Sequence, residues 1–196
     1  MARATTGLTA TSTHNFVVDA GAVYLNLGET GERVLGATQG GSTFSIEQDV
    51  KVIEIDGTRG NTKGARRIIT SNAGIKVSLL EMTTANLILA ITGASATDWT
   101  DPTNTGATAP THDQIRRTRN LSDLDYLTNI ALVGKVSGTD ENIICMLYNA
   151  MSDDKLEMKM EDKNEMSLEV TFSAHYDPAD VMTEPWAIFF PKAPGA

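Results

Sequence analysis

The run Met166-Ser167-Leu168-Glu169-Val170-Thr171-Phe172-Ser173-Ala174-His175-Tyr176 carries the clearest structural signal in the chain. Apolar and polar side chains alternate one by one, the period of two that sends successive strand residues to opposite faces. One face therefore enters a core and the other meets water or a water-filled space, and Asp177-Pro178 ends the pairing. Residues 155–160 repeat the pattern, with Leu156, Met158 and Met160 set against Glu157, Lys159 and Glu161, so residues 161–165 read as a hairpin tip. Met158, Met160 and Met166 then lie on the apolar face as core or interface filler, not as a metal-binding cluster.

Neighbouring segments extend this reading outward. Residues 129–136 and 142–150 pair across the turn Ser137-Gly138-Thr139-Asp140, and residues 186–190 make a last short apolar strand before Pro191. Upstream, residues 16–27 read as a strand, 28–32 as a turn and 34–36 as a short extended piece. Residues 43–56 carry apolar side chains on both faces (Phe44, Ile46, Val50, Val52, Ile53, Ile55), as expected of a strand covered on both sides or bent by a bulge near Gln48. Residues 57–67 hold three glycines and the cations Arg59, Lys63, Arg66 and Arg67, a long exposed hairpin loop. A strand follows over 67–82, with a weak point at Asn72-Ala73-Gly74. The period then changes: Thr83 or Thr84 can cap a short helix over 85–92 that stops at Gly93. Residues 94–120 show no period and read as a long loop ending in Arg116-Arg117-Thr118-Arg119, and residues 1–15 read as a flexible N-terminal arm. The sum is one mainly β domain over 16–196, an antiparallel sandwich or partly closed barrel with one flanking helix.

Composition narrows function by exclusion. The chain has 196 residues, enough for one core, with 16 basic and 25 acidic residues for a net charge of −9, the wrong sign for gripping nucleic acid through phosphates. The longest apolar run, 143–148, is far below the roughly 20 residues of a membrane helix. The first ten residues lack the apolar stretch of a secretion signal, which favours synthesis and assembly in the cytoplasm. Cys145 is a single cysteine, and the three histidines, His14, His112 and His175, have no metal-ligand spacing. Residues 57–64 lack the glycine a phosphate loop needs before Lys63, and Asp153-Asp154 and Glu161-Asp162 lack the carboxylate ladder of a calcium loop. No nucleophile motif is present, so the expectation is no catalytic residue, no cofactor and no metal.

Two blocks of residues resemble a known family. Val17-Val18-Asp19-Ala20-Gly21-Ala22-Val23-Tyr24, then Glu32-Arg33-Val34-Leu35-Gly36-Ala37-Thr38-Gln39-Gly40-Gly41-Ser42-Thr43-Phe44, the strand into Asp56-Gly57 and the basic loop resemble the major tail tube proteins of long-tailed, siphovirus-like bacteriophages. The closing run from Ser167 to Pro178, with Pro185-Trp186, is similar to that family's last strands. The resemblance covers roughly residues 16–95 and 125–190, and residues 95–120 match no family pattern.

The resemblance implies a β-sandwich with one flanking helix, six copies of which join their sheets into a ring, and rings that stack into the tube through which DNA is ejected. It implies a structural virion protein, not an enzyme, made in the host bacterial cytoplasm and resident in the tail. Its partners would be itself, the tape measure, tail tip and terminator proteins, and double-stranded DNA in transient, non-specific passage, with no membrane. The family's long loop reaches the adjacent ring, and Asp56, Arg59, Lys63, Arg66 and Arg67 occupy the matching place here. Six copies at −9 each make an acidic ring that repels a passing duplex. Glu157, Glu161 and Glu169 lie on polar strand faces that line either the channel or the outside, and alternation does not choose between them. The competing expectation is a monomeric carbohydrate- or ligand-binding sandwich that uses residues 94–120 and Trp99 for recognition.

Overall fold

The computed structural model describes residues 7–9, 12–18, 21–106, 109–117, 120–153, 155–158, 160, 162 and 165–192. In chain order the strands are β1 (Ala22–Leu25), β2 (Arg33–Val34), β3 (Thr43–Val52), β4 (Arg66–Leu79), β5 (Ala94–Trp99), β6 (His112–Arg117), β7 (Leu127–Lys135), β8 (Asn142–Ser152), β9 (Leu168–Ser173) and β10 (Trp186–Phe189). The helix α1 (Thr84–Ala90) follows β4, and short 3-10 turns cover Ser12–Asn15 and Asp123–Asp125. The main sheet runs β2-β1-β7-β8-β9-β4-β3 with β10 added to β8, every ladder antiparallel, while β5 and β6 form a separate two-stranded sheet. The fold is therefore mainly β and antiparallel with one helix, as the alternation of residues 166–176 predicts.

Two features turn this sheet into a core-enclosing body. First, one edge of β8 pairs with β10 over Ile144–Leu147 and then with β9 at Met151 and Ser152. Between these partners Asn149 adopts a left-handed conformation (φ 47°), which an asparagine tolerates better than most residues. Second, the chain leaving β2 returns to the end of β4: Leu80 N donates to Ala37 O and Gln39 N to Ser78 O, both at 2.9 Å, while Leu35 N donates to Val23 O on β1 at 2.8 Å. Residues 35–39 thus link β1 to the end of β4. Val23 and Leu25, Ile130, Leu147, Ile75 and Val77, and Leu168 and Phe172 all face one buried cluster drawn from β1, β7, β8, β4 and β9.

Helix α1 has only seven residues, too short to persist alone, and is held by its surroundings. Thr83 is the N-cap, its hydroxyl accepting from Asn86 N at 3.2 Å. Asn86, 1% exposed, donates to Leu35 O and Glu81 O at 3.1 Å each and accepts from Arg33 Nη1 at 3.3 Å. One buried amide therefore ties the helix to β2 and to the chain before the helix.

Several expectations need correction. Residues 94–120 are not a structureless loop: β5 and β6 pair from Ala94↔Arg117 to Trp99↔His112. Their residues are mostly small or polar, so backbone pairing makes these strands without any apolar face to announce them. Among the described residues, 155–160 hold no strand, and the backbone pairs with β9 there at the isolated bridge Met158↔Leu168, while Leu156 packs against the core. Met160 is 79% exposed, so it fills no core of this subunit. β4 fills one edge of β9 along its length, whereas on the other edge β8 holds only Phe172 and Ser173, so among the described residues an edge is open at Leu168–Thr171 and the alternating segment meets it at a single bridge. The weak point at 72–74 does not interrupt β4, since Asn72, Ala73 and Gly74 all keep partners on β3. Finally β1 is shorter than the expected strand over 16–27, and Val17 makes an isolated bridge with Val136.

Candidate assembly interface

β3 and β4 pair with each other from Thr43↔Lys76 to Val52↔Arg66, but β9 covers only the inner part of β4, Gly74 to Leu79. Beyond the last core residue, Ala73, the two strands leave the body as a ribbon. Seven strand residues, 66–72, project there, a reach of about 20 Å. Among the described residues neither outer edge of this ribbon has a ladder partner.

The ribbon is amphipathic. Even-numbered Phe44, Ile46, Gln48, Val50 and Val52 share the face that continues the core side of β4, while Ser45, Glu47, Asp49 and Lys51 face the other way. A register shift between Asp49 and Val50, within two residues of the bulge expected near Gln48, pairs Val50 with Ile68 and leaves Ile69 as the additional residue. The expectation of apolar residues on both faces fails because Ile53 and Ile55 lie past the end of β3, in the loop, and do not belong to its alternation. The expected cover is also missing among the described residues: Ile68 and Ile69 are 61% and 60% exposed, and Ile46, Val50 and Val52 are exposed as well. Exposed apolar faces and unpaired strand edges are the features through which sheets in general pair with other chains.

Of the residues expected to stack rings, Asp56, Arg59 and Lys63 lie in the exposed loop at the ribbon tip, which Ile53 N closes by donating to Ala65 O at 2.7 Å. Arg66 and Arg67 instead open β4. Arg67 Nη1 donates to Gly64 O at 3.1 Å and to Arg66 O at 2.9 Å, so its guanidinium serves the loop's own closure. Arg59 and Lys63 have no ion-pair partner among the described residues.

Of the three acidic candidates, the two that are described pair with different lysines. Glu169 stands on the polar face of β9 and pairs with Lys76 Nζ of β4 at 2.9 Å, both side chains more than half exposed, so its charge is locally offset. Glu157, outside any strand, bonds Lys155 Nζ at 2.5 Å. Glu161 lies outside the described residues.

A second apolar edge lies on β10, where Ile188, Phe189 and Phe190 are exposed. Near it is a polar knot that sequence reading missed. One carboxylate oxygen, Glu184 Oε2, accepts from Ser71 Oγ and Tyr176 Oη at 2.9 Å each and from Trp186 Nε1 at 3.1 Å. The Glu184 bond is the leading cause that holds the Tyr176 phenol above its ordinary value. No sequence signal marks this knot, because Ser71 and Glu184 are 113 positions apart.

The histidines stay separate. His112 meets Trp99 edge to face with ring centres 5.4 Å apart, and His175 meets Tyr126 similarly at 5.1 Å while its Nε2 lies 3.4 Å from Asp153. His14 packs beside Gly138 in the β7–β8 turn, where Ser137 N and Oγ donate to Phe16 O at 2.8 and 2.9 Å. Among the described residues no three His, Cys, Asp or Glu converge as metal ligands, and no helix is long and apolar enough to cross a membrane.

No protein-family model and no curated protein matches the sequence. Among solved structures, the chain is similar in shape to a chain from the virion of a native gene transfer agent particle, with 9% identity over 87% of this chain and 96% of that chain and a TM-score of 0.42. It is likewise similar to a chain from the tail of an empty gene transfer agent particle with C6 symmetry, with 10% identity over 88% and 96% of the two chains and a TM-score of 0.45. Likeness at this level says nothing of what this chain binds or builds.

Proposed function

We propose that this chain is a structural subunit of a phage-type tail, the tail tube protein of a long-tailed bacteriophage, whose copies associate through their sheets and ribbons. Six copies form a ring, rings stack into a tube, and the tube conducts DNA during ejection. The observation that carries the reading is the β3–β4 ribbon, whose apolar side chains are exposed and whose outer edges have no ladder partner among the described residues. The sequence resemblance to tail tube proteins supports it. In such a ring, Asp56, Arg59 and Lys63 at the ribbon tip meet the adjacent ring, with charge setting register and encounter more than affinity. If the polar face of β9 and β4 lines the channel, it presents Glu169 beside Lys76 and offers a passing duplex little net attraction. Tape measure, tail tip and terminator proteins complete the assembly.

Negative-stain microscopy of the purified, concentrated protein tests this. Long hollow tubes of uniform width are expected. A protein that stays monomeric at every concentration, even with nucleating tail components added, refutes the reading and favours the monomeric binding module.

A further inference from the structure

A two-stranded ribbon without lateral neighbours twists and bends more easily than a wide sheet. Here the ladder that steadies β4 from the β9 side ends at Gly74↔Ser173, with one further bond from Ala174 N to Ala73 O at 3.0 Å. Beyond that point, among the described residues, the side-chain hydrogen bonds that join the ribbon to the rest of the subunit converge on Ser71, whose Oγ donates to Glu184 Oε2 at 2.9 Å and also bonds the Tyr176 hydroxyl. Glu184 is itself fixed. Its same oxygen accepts from Tyr176, just past β9, and from Trp186, which packs on the core. The stretch before it is wound by Asp180, which accepts from Thr183 Oγ1 at 2.7 Å and from Met182 N at 3.3 Å.

We propose that Glu184 is the positioning residue of the ribbon: its three-donor carboxylate sets the angle at which β3 and β4 leave the body. An ionised carboxylate suits the task because its bonds are shorter and stronger than those of neutral acceptors. The angle matters for association because a surface ordered in advance avoids the cost of being ordered on contact. That last step rests on the self-assembly reading, whereas the positioning itself is a property of the single subunit.

Pulsed electron-electron resonance on the dilute, unassembled full chain tests the positioning directly. Spin labels go on Thr58→Cys at the ribbon tip and Asp140→Cys on the β7–β8 turn, in a Cys145→Ser background. The expected result is one narrow distance distribution that broadens in Glu184→Ala and in Ser71→Ala. The latter removes only the ribbon's own hydroxyl and leaves the bonds from Tyr176 and Trp186 to Glu184 in place. Glu184→Gln, which keeps an accepting oxygen, should restore most of the narrow distribution. Light scattering on concentrated protein should then show Glu184→Ala assembling on the order of tenfold more slowly, the equivalent of about one charge-assisted hydrogen bond. An unchanged distribution in both Glu184→Ala and Ser71→Ala overturns the proposal. Broadening in a protein that never assembles upholds the positioning role and removes the assembly reading.

Discussion

Replacing Ile68 and Ile69 together by threonine separates what the ribbon does for the subunit from what it does between subunits. The two side chains keep 61% and 60% of their surface in water, so the isolated subunit gains little from them. Threonine retains the β-branch that suits a strand, and exposed substitutions of this kind shift stability by about 0.5 kcal/mol or less. Association is another matter. Burying an isoleucine completely is worth about 1.5–3 kcal/mol, so covering the fraction still exposed is worth about 1–2 kcal/mol each, or about 2–4 kcal/mol for the pair. Threonine forfeits essentially all of it, since its hydroxyl must also lose water on contact. At about 1.4 kcal/mol per factor of ten, the association constant at each interface falls roughly 30- to 700-fold. Sedimentation velocity across a concentration series measures the shift, and thermal unfolding of the dilute protein checks that the subunit is intact. Assembly at the wild-type critical concentration would refute the argument. So would a loss of several kcal/mol in subunit stability, because these side chains would then be supporting the fold itself.

Other expectations follow from the same structure. Arg59→Glu with Lys63→Glu should leave the melting temperature unchanged and shorten or abolish tubes while rings persist, as counted by electron microscopy; tubes of normal length would remove the charge-register argument. Asn86→Ala strands the carbonyls of Leu35 and Glu81 at a buried site and should cost about 2–4 kcal/mol, read as a melting temperature lower by roughly 5–15 °C. A Cβ at Gly138 would stand 2.3 Å from His14 Cβ, so Gly138→Ala should displace the segment around His14 and quicken proteolysis there without altering the melt of the core. Burial pushes the Cys145 thiol above its ordinary value, so its alkylation near pH 8 should be slow in the native protein and rapid after unfolding.

The parts of this protein legible from its residues are those governed by short-range geometry. The alternation over 166–176 places Leu168, Val170 and Phe172 in the core and Glu169 in water, because a strand's period of two is local. Thr83 before the apolar run caps α1 through chemistry that spans a few residues, and Gly93, in a left-handed conformation (φ 75°), lies in the turn just after its C-cap Ile91. The turn at 137–140 and the strands beside it follow for the same reason. Even β3 announces its amphipathic face in the even positions from Phe44 to Val52, once Ile53 and Ile55 are assigned to the loop.

What tertiary structure alone decided is which edges find partners and which faces stay bare. Residues 155–160 alternate as well as any strand, yet among the described residues they meet β9 in only one bridge, while the polar β5 and β6 pair with each other. The core-side face of the ribbon carries Phe44, Ile46, Val50 and Val52, but it lies outside the body because β9 ends at Ser173, opposite Gly74, and the Ser71–Glu184 bond joins residues 113 positions apart. Residue pattern sets the face a side chain takes along its own strand. Whether anything covers that face depends on contacts between distant segments, which no local period encodes.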